Sequence, residues 1–549
     1  MNRLLVIAAT SLLVAFPTYD AQSAEESTEP PPPHLQRAES IDPVQIMDLI
    51  CDGRSDSAMT TLDQSRWVNS NDPLVLLLRG RVMRDRLHDE DNNKELLKSD
   101  VNLIHAVYDR VIELCDEAMD GGSWEPSFLA YRARAHLGKA QLHTLTKSYW
   151  SAGRAGGRAK RDLEDYLRLV PDDPDAQGDL GVFLYFADTI PGTVKFISKL
   201  LFFPSGDRER GLRMLKYAAA NKGPFHSDYE IALAAIDLLF DGHLEKGVSG
   251  MSALIDRYPN YTRLAEPLGL VAPLYPLRMR EFQRTEDSSL ARHLSRRAED
   301  PDWNLVKRIH VNRAYADMFF SSPATALFAF TSLIDNSLSR PDWAMPLVIL
   351  NRGILYAKSG RKTDARRDFE RVKDGDLKYF HETARKLLEG LDEPYETLEL
   401  EELEFVGAIY DGRLQEASEG LESYKQNHGE DVIYHLYAGD LSLARQEFEA
   451  AARSYIAALD MDAPHLDQGY QMFSALRLAE IHGHEQRFRQ AMRYIDHALK
   501  YTHAAYLFNY MMHARKRYYK LLDGGTLTEL PTMLFLRVPT AATPAYVGP

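Results

Sequence analysis

Apolar residues recur along this chain at the three-to-four spacing of amphipathic helices, and no segment shows the sustained alternation of a half-buried strand. A second regularity runs inside the helical pattern. In Leu350-Asn351-Arg352-Gly353-Ile354-Leu355-Tyr356, a small residue is followed by tyrosine three places on. Ala365 lies 12 positions after Gly353, Phe369 lies 16 after it, and Lys358-Ser359-Gly360-Arg361 supplies a turn between them. Small residues let two helices approach closely, and an aromatic ring fills the groove beside them. The arrangement recurs at Gly439, Ala451, Tyr455 and Ala458 with Pro464 beyond, and again at Ala479, Ala491, Ile495 and Ala498.

Weaker copies extend the row: Ala314, Ala326 and Phe330; Ala417 and Leu421; Ala235, Gly247, Met251 and Leu254; Gly211, Leu215 and Ala218; Ala159, Leu163 and Tyr166; Ala58 and Leu62. Corresponding positions are 34 residues apart from Ala417 to Ala451, 36 from Gly211 to Gly247, 39 from Ala326 to Ala365 and 40 from Ala451 to Ala491. These offsets resemble the tetratricopeptide-repeat family, whose period is about 34 residues. The turn Gly206-Asp207-Arg208-Glu209-Arg210-Gly211 is similar to that of exported bacterial members. The resemblance implies an all-α, irregular helix-turn-helix superhelix, or α-solenoid, of roughly eight to ten helix pairs. It also implies a cell-envelope scaffold or adaptor, and brings no reaction with it.

Residues 1–24 read as a secretory signal: Arg3 is followed by the apolar run Leu4 to Phe16, and Ala21, Ser23 and Ala24 are small enough for cleavage. The run is shorter than the roughly 20 apolar residues of a spanning helix. The mature chain is thus expected in the periplasm or outside the cell. Residues 25–40, with Pro30 to Pro33, read as an extended tether. Residues 41–285 are assigned to degenerate N-terminal repeats with an inserted helix, 286–525 to C-terminal repeats, and 526–549 to an irregular tail. Prolines 259, 267, 273 and 276 interrupt the helices, as either a loop packed into the groove or a break between two halves, and place the boundary near residue 285.

The net charge of −15 disfavours nonspecific nucleic-acid binding, which needs a cationic surface. Cys51 and Cys115 are the two cysteines, and export would permit a disulfide between them as readily as burial of two separate thiols. No cofactor is implied, and no metal-binding spacing is present: His482-Gly483-His484-Glu485 lacks the spacing of a zinc-protease helix. Gly247-Val248-Ser249-Gly250 lacks the last glycine of a nucleophile elbow, and neither a phosphate loop nor a dinucleotide fingerprint occurs. No catalytic residue is assigned, and the chain is read as a binding protein.

In this family the first helix of each pair lines the inner surface. The resemblance therefore makes Asn312 and Asn351, at one repeat position, candidate clamps for a peptide backbone, with Tyr437 and Arg477 at the matching later positions. An asparagine amide can both donate to and accept from a peptide, and an arginine can pair with a carboxylate. The competing reading makes them contacts between repeats. Residues 186–204 are the second candidate, with Phe196, Ile197, Leu200 and Phe203 facing either a lipid surface, a partner groove or the protein interior. The expected function is an exported scaffold binding a protein or peptide on its concave face, with peripheral membrane contact left open; the alternative is a helical solute- or lipid-binding envelope protein.

Overall fold

The computed structural model describes residues 42–64, 71–87, 94–122, 124–146, 148–189, 206–221, 223–259, 261, 264, 268, 278–296, 303–335, 345–374, 378–392, 400–461, 469–500 and 506–533. The signal-like segment, the tether, and Phe196, Ile197, Leu200 and Phe203 lie outside these residues. Among the described residues there is no strand, and 23 α-helices follow one another. None of those helices is long and apolar enough to cross a membrane. The described residues are all-α, with successive helices packed on one another.

Two compact units divide it, one holding residues up to Asp237 with Lys246–Leu264, the other Leu238–Glu245 with residues from Ala265 onward. The N-terminal unit contains α1 Pro43–Cys51, α2 Ser55–Gln64, α3 Pro73–Leu87, α4 Lys94–Asp120, α5 Ser127–Leu145, α6 Tyr149–Leu169, α7 Pro174–Thr189, α8 Arg208–Ala220, α9 His226–Ala235 and the body of α10 Leu244–Arg257. The same chemistry starts many of them. Asp42, Asp72 and Asp173 each accept a hydrogen bond from a first-turn amide, and each stands before a proline. A carboxylate there satisfies an orphan N–H, and proline needs no donor in the first turn. Consecutive helices pack on each other; in addition α3 touches α1 and α5, and α9 touches α7. The first helices of neighbouring pairs therefore lie side by side.

The C-terminal unit runs through α11 Met279–Arg296, α12 Trp303–Phe320, α13 Pro323–Asp335, α14 Met345–Lys358, α15 Lys362–Lys373, α16 Lys378–Asp392, α17 Leu400–Asp411, α18 Leu414–His428, α19 Val432–Ala444, α20 Phe448–Asp460, α21 Gly469–His484, α22 Phe488–Ala498 and α23 Tyr506–Asp523. From α17 onward the row is regular, with α17, α19 and α21 adjacent as first helices. Before it the row is broken, because α17 packs on α12. Gly407 permits this crossing: a Cβ there would come within 1.9 Å of the Phe319 carbonyl oxygen. The tail returns to the start of the same unit, where the Thr532 amide donates to the Gly242 carbonyl at 2.8 Å.

The residues that set the repeat register are interior. Ala314, Ala326, Phe330, Ala365, Phe369, Ala417, Ala451, Tyr455, Ala491 and Ile495 are all buried. A Cβ on Gly353 would lie 2.5 Å from the Phe369 ring, and one on Gly439 would lie 2.3 Å from the Tyr455 ring. The 16-residue offset thus records a ring laid directly on a glycine. Replacing Gly439 by alanine should destabilise the fold by about 1–3 kcal/mol through overpacking. Chemical unfolding measures this, and an unchanged midpoint would show that the ring is free to move aside. The turn at Gly360 has φ +70°, and Gln446 and Gln486 take the same repeat position with φ 64° and 61°. Cys51 and Cys115 are separate buried thiols.

Candidate functional site

The four candidate clamp residues all stand on first helices, but their surroundings differ. On α12, the Asn312 amide is half-buried and its Nδ2 donates to Glu286 Oε1 at 2.8 Å. Asn351 on α14 is 7% exposed and Tyr437 on α19 is 8% exposed. The Tyr437 ring sits between those of Phe405 and Tyr470, with centroids 5.6 Å and 6.5 Å away. Arg477 on α21 is 2% exposed, and its Nη2 donates to Asp440 Oδ2 at 2.7 Å. The carboxylate that Arg477 grips within the chain is Asp440 on the preceding first helix, as the reading of a contact between repeats expects.

That pair belongs to a device used three times. At Gly439-Asp440, the Tyr455 ring covers the glycine, its hydroxyl donates to Asp440 Oδ1 at 2.8 Å, and Arg477 of the next repeat completes the set. In the N-terminal unit, the Tyr229 ring covers Gly178, and its hydroxyl donates to Asp179 at 3.1 Å. Arg134 Nε on the neighbouring first helix donates to the same carboxylate at 2.6 Å. At the C-terminal end, Tyr519 covers Gly483 and donates to Glu480 at 3.2 Å, while Arg515 Nε lies 3.2 Å from Glu480. Each clasp ties one first helix to its neighbour. A buried carboxylate is tolerable only with such donors, since burial disfavours its charged form.

Another part of the N-terminal unit gathers a larger set of buried polar groups. Arg81, Arg84 and Asp85 on α3, Ser55 on α2, Gln141 on α5, and Ser227 and Asp228 on α9 form a buried polar seam. Arg84 donates to Gln141; Ser55 Oγ donates to Asp85 at 2.5 Å; Arg81 Nη1 donates to Asp85 at 3.4 Å. The segment after α10 lies across it. Tyr258 shares a 2.6 Å hydrogen bond with Ser227 and donates to Asp48, and Tyr261 donates to Asp85 at 3.4 Å. Tyr258 and Tyr261 thus lie over the polar seam of their own unit.

Asp228 is the exception within the seam. It is 1% exposed, both its carboxylate oxygens lack a hydrogen-bond partner, and Arg81 Nη2 stands 3.8 Å away. Burial pushes its carboxyl up to about 8, against the pull of Arg81 and Arg84. Burial, then Asp228, also holds the Cys51 thiol well above its ordinary range. Such a thiol is a poor nucleophile. The seam supplies charge and hydrogen bonding across four helices.

Sequence spacing pointed to the first helices but missed both the clasps and the seam. Their members are 37 residues apart at Asp440 and Arg477, 45 at Arg134 and Asp179, and 50 at Asp179 and Tyr229. The visible clue was an acidic residue next to the small position, as in Gly178-Asp179 and Gly439-Asp440.

No family model matches the chain, and no curated protein matches it. Several solved structures align at low similarity. A human IFIT1 dimer with PPP-AAAA is 12% identical, covering 90% of this chain and 94% of that one, with a TM-score of 0.28. The APC/C hetero-tetramer Cut9–Hcn1 is 12% identical, covering 88% and 93%, with a TM-score of 0.22. Yeast Tom70 is 11% identical, covering 87% and 95%, with a TM-score of 0.18.

Proposed function

We propose that this chain is an exported helical-repeat scaffold that holds a segment of a protein partner along the first helices of its C-terminal unit. The observation that carries the proposal is a series of aromatic rings passing from one first helix to the next. Phe319 on α12 meets Tyr410 on α17 at 5.6 Å, and Phe405 on α17 meets Tyr437, which meets Tyr470 on α21. Phe473, one turn on from Tyr470, lies 5.3 Å under the Arg477 guanidinium. Phe319, Tyr410, Tyr470 and Phe473 are half-buried, so each keeps part of a ring available for contact. Aromatic side chains supply large contact area at small entropy cost and are enriched where proteins bind one another. In the N-terminal unit, Tyr258 and Tyr261 lie over the polar seam.

Export rests on the apolar run from Leu4 to Phe16 and the small residues before Glu25. Amino-terminal sequencing of protein recovered from the producing cells should then begin near Glu25, and recovery of an intact Met1 would remove this half of the proposal. The binding half is tested by pull-down from envelope extract with wild type beside a Tyr470→Ala, Phe473→Ala double variant. A partner retained by wild type should be lost from the variant while the helical signal stays the same. Equal recovery by both proteins would discard the aromatic face. Adding Asn312→Ala asks whether that amide, now bonded to Glu286, contributes as well.

A further inference from the structure

We infer that the outward face of α6 is a docking site for an anionic phospholipid surface. Trp150, Arg154, Arg158 and Arg161 occupy positions i, i+4, i+8 and i+11 of this helix and so fall on one stripe. The opposite side is fixed in the interior by Ala155, Ala159, Leu163 and Tyr166. All four stripe residues are exposed: Trp150 retains 46% of its surface, and Arg154 stacks on its ring at 5.7 Å.

The stripe carries uncompensated charge. Helix α6 has no acidic residue from Tyr149 to Arg161. Its first, Asp162, points inward and accepts two bonds from Arg132, while Glu164 and Asp165 engage Lys160 and Arg168. Among the described residues no carboxylate pairs with Arg154, Arg158 or Arg161. The local field is cationic enough to reach the neighbouring helix, where His136 is held down to about 4 by burial first and then by Arg158, Arg132 and Lys139. This runs against a chain whose net charge is −15.

Charge complementarity calls for an anionic partner, and the tryptophan selects among such partners. Indole rings favour the interface between headgroups and acyl chains, and arginines beside them meet the phosphates. The face is a stripe of about 16 Å, a row of guanidinium groups with an amphipathic ring at one end and no apolar stripe to insert deeply. It suits reversible contact with a negatively charged bilayer surface. The two proposals rest on different residues in different units, so they stand or fall separately.

Vesicle co-sedimentation tests the inference, using phosphatidylcholine alone and an equimolar mixture with phosphatidylglycerol. Wild type and an Arg154→Gln, Arg158→Gln, Arg161→Gln triple variant are compared with identical amino termini, so that residues 4–16 contribute equally. Binding should require the anionic lipid, fall as salt is raised, and weaken on the order of a hundredfold in the triple variant. A Trp150→Phe variant should lose the blue shift of emission that accompanies binding. Equal binding to both vesicle types, equal binding by both proteins, or no sedimentation at low salt would overturn the proposal. Arginine-dependent binding of single-stranded DNA without vesicle binding would overturn it in favour of a polyanion site. The substituted arginines are exposed, and circular dichroism confirms that the variant is folded.

Discussion

Replacing Arg477 with methionine is expected to destabilise the C-terminal unit by about 3–5 kcal/mol, the usual cost of leaving one member of a buried ion pair without its partner. Asp440 would keep only the Tyr455 hydroxyl, in a site 6% exposed. The compensating change is Asp440→Asn. Its amide oxygen still accepts from Tyr455, and its neutral side chain no longer needs a cation. The double variant should therefore recover most of the loss, and the recovered part measures the coupling between the two residues. Urea unfolding followed by helical circular dichroism gives all three values. A clamp facing a partner predicts the opposite pattern, with binding lost and stability untouched. If Arg477→Met unfolds at the wild-type midpoint, the clasp is not holding the repeats together.

This outcome bears on what the sequence could disclose. Gly353, Ala365 and Phe369 revealed a helix pair because their contact is made within one repeat, at a fixed offset set by helix geometry. The same logic found Gly439 with Tyr455, and it found the first helices on which the aromatic residues stand. It failed where the decisive partner comes from another repeat. Insertions and degenerate turns vary the separations across each clasp, so no single period exposes them. Arg477 illustrates the limit: spacing placed it on a first helix, and arginine chemistry allowed a carboxylate partner. Only the packing of α19 against α21 identifies that carboxylate as the chain's own. The seam around Asp228 was less legible still. It gathers side chains from α2, α3, α5 and α9 and is covered by Tyr258 and Tyr261, whose contacts no repeat offset marks.

The contribution of Asp228 to the stability of the N-terminal unit should fall as pH rises from about 4 to 8, and Asp228→Asn should remove that contribution. The sign follows from proton binding. In the unfolded chain the carboxyl titrates near 3.9; in the fold, burial moves it to about 8. Between those values the folded state holds a proton that the unfolded state has released, so raising the pH favours unfolding. The contribution is fully present below the unfolded value and is lost as pH passes through the folded one. The expected slope is about 1.4 kcal/mol per pH unit in the middle of the window. Other buried groups of the unit act with both signs: burial also raises the Asp175 and Asp179 carboxyls, which share the sign of Asp228. His105 and His136 are held down to about 4, chiefly by burial, and they make the fold more stable as pH rises toward their ordinary value. The informative quantity is therefore the difference between wild type and Asp228→Asn, in which the histidines cancel. Asparagine preserves the shape and cannot ionise, and Arg81 keeps Asp85 as its counter-charge. The two proteins should be of similar stability near pH 5, with the variant markedly more stable by pH 8. Parallel curves across the range would mean that Asp228 is already ionised at low pH, and that Arg81, 3.8 Å away, outweighs burial. The seam would then be a closed ion-pair network like the clasps, with its charges compensated at every pH where the protein is folded.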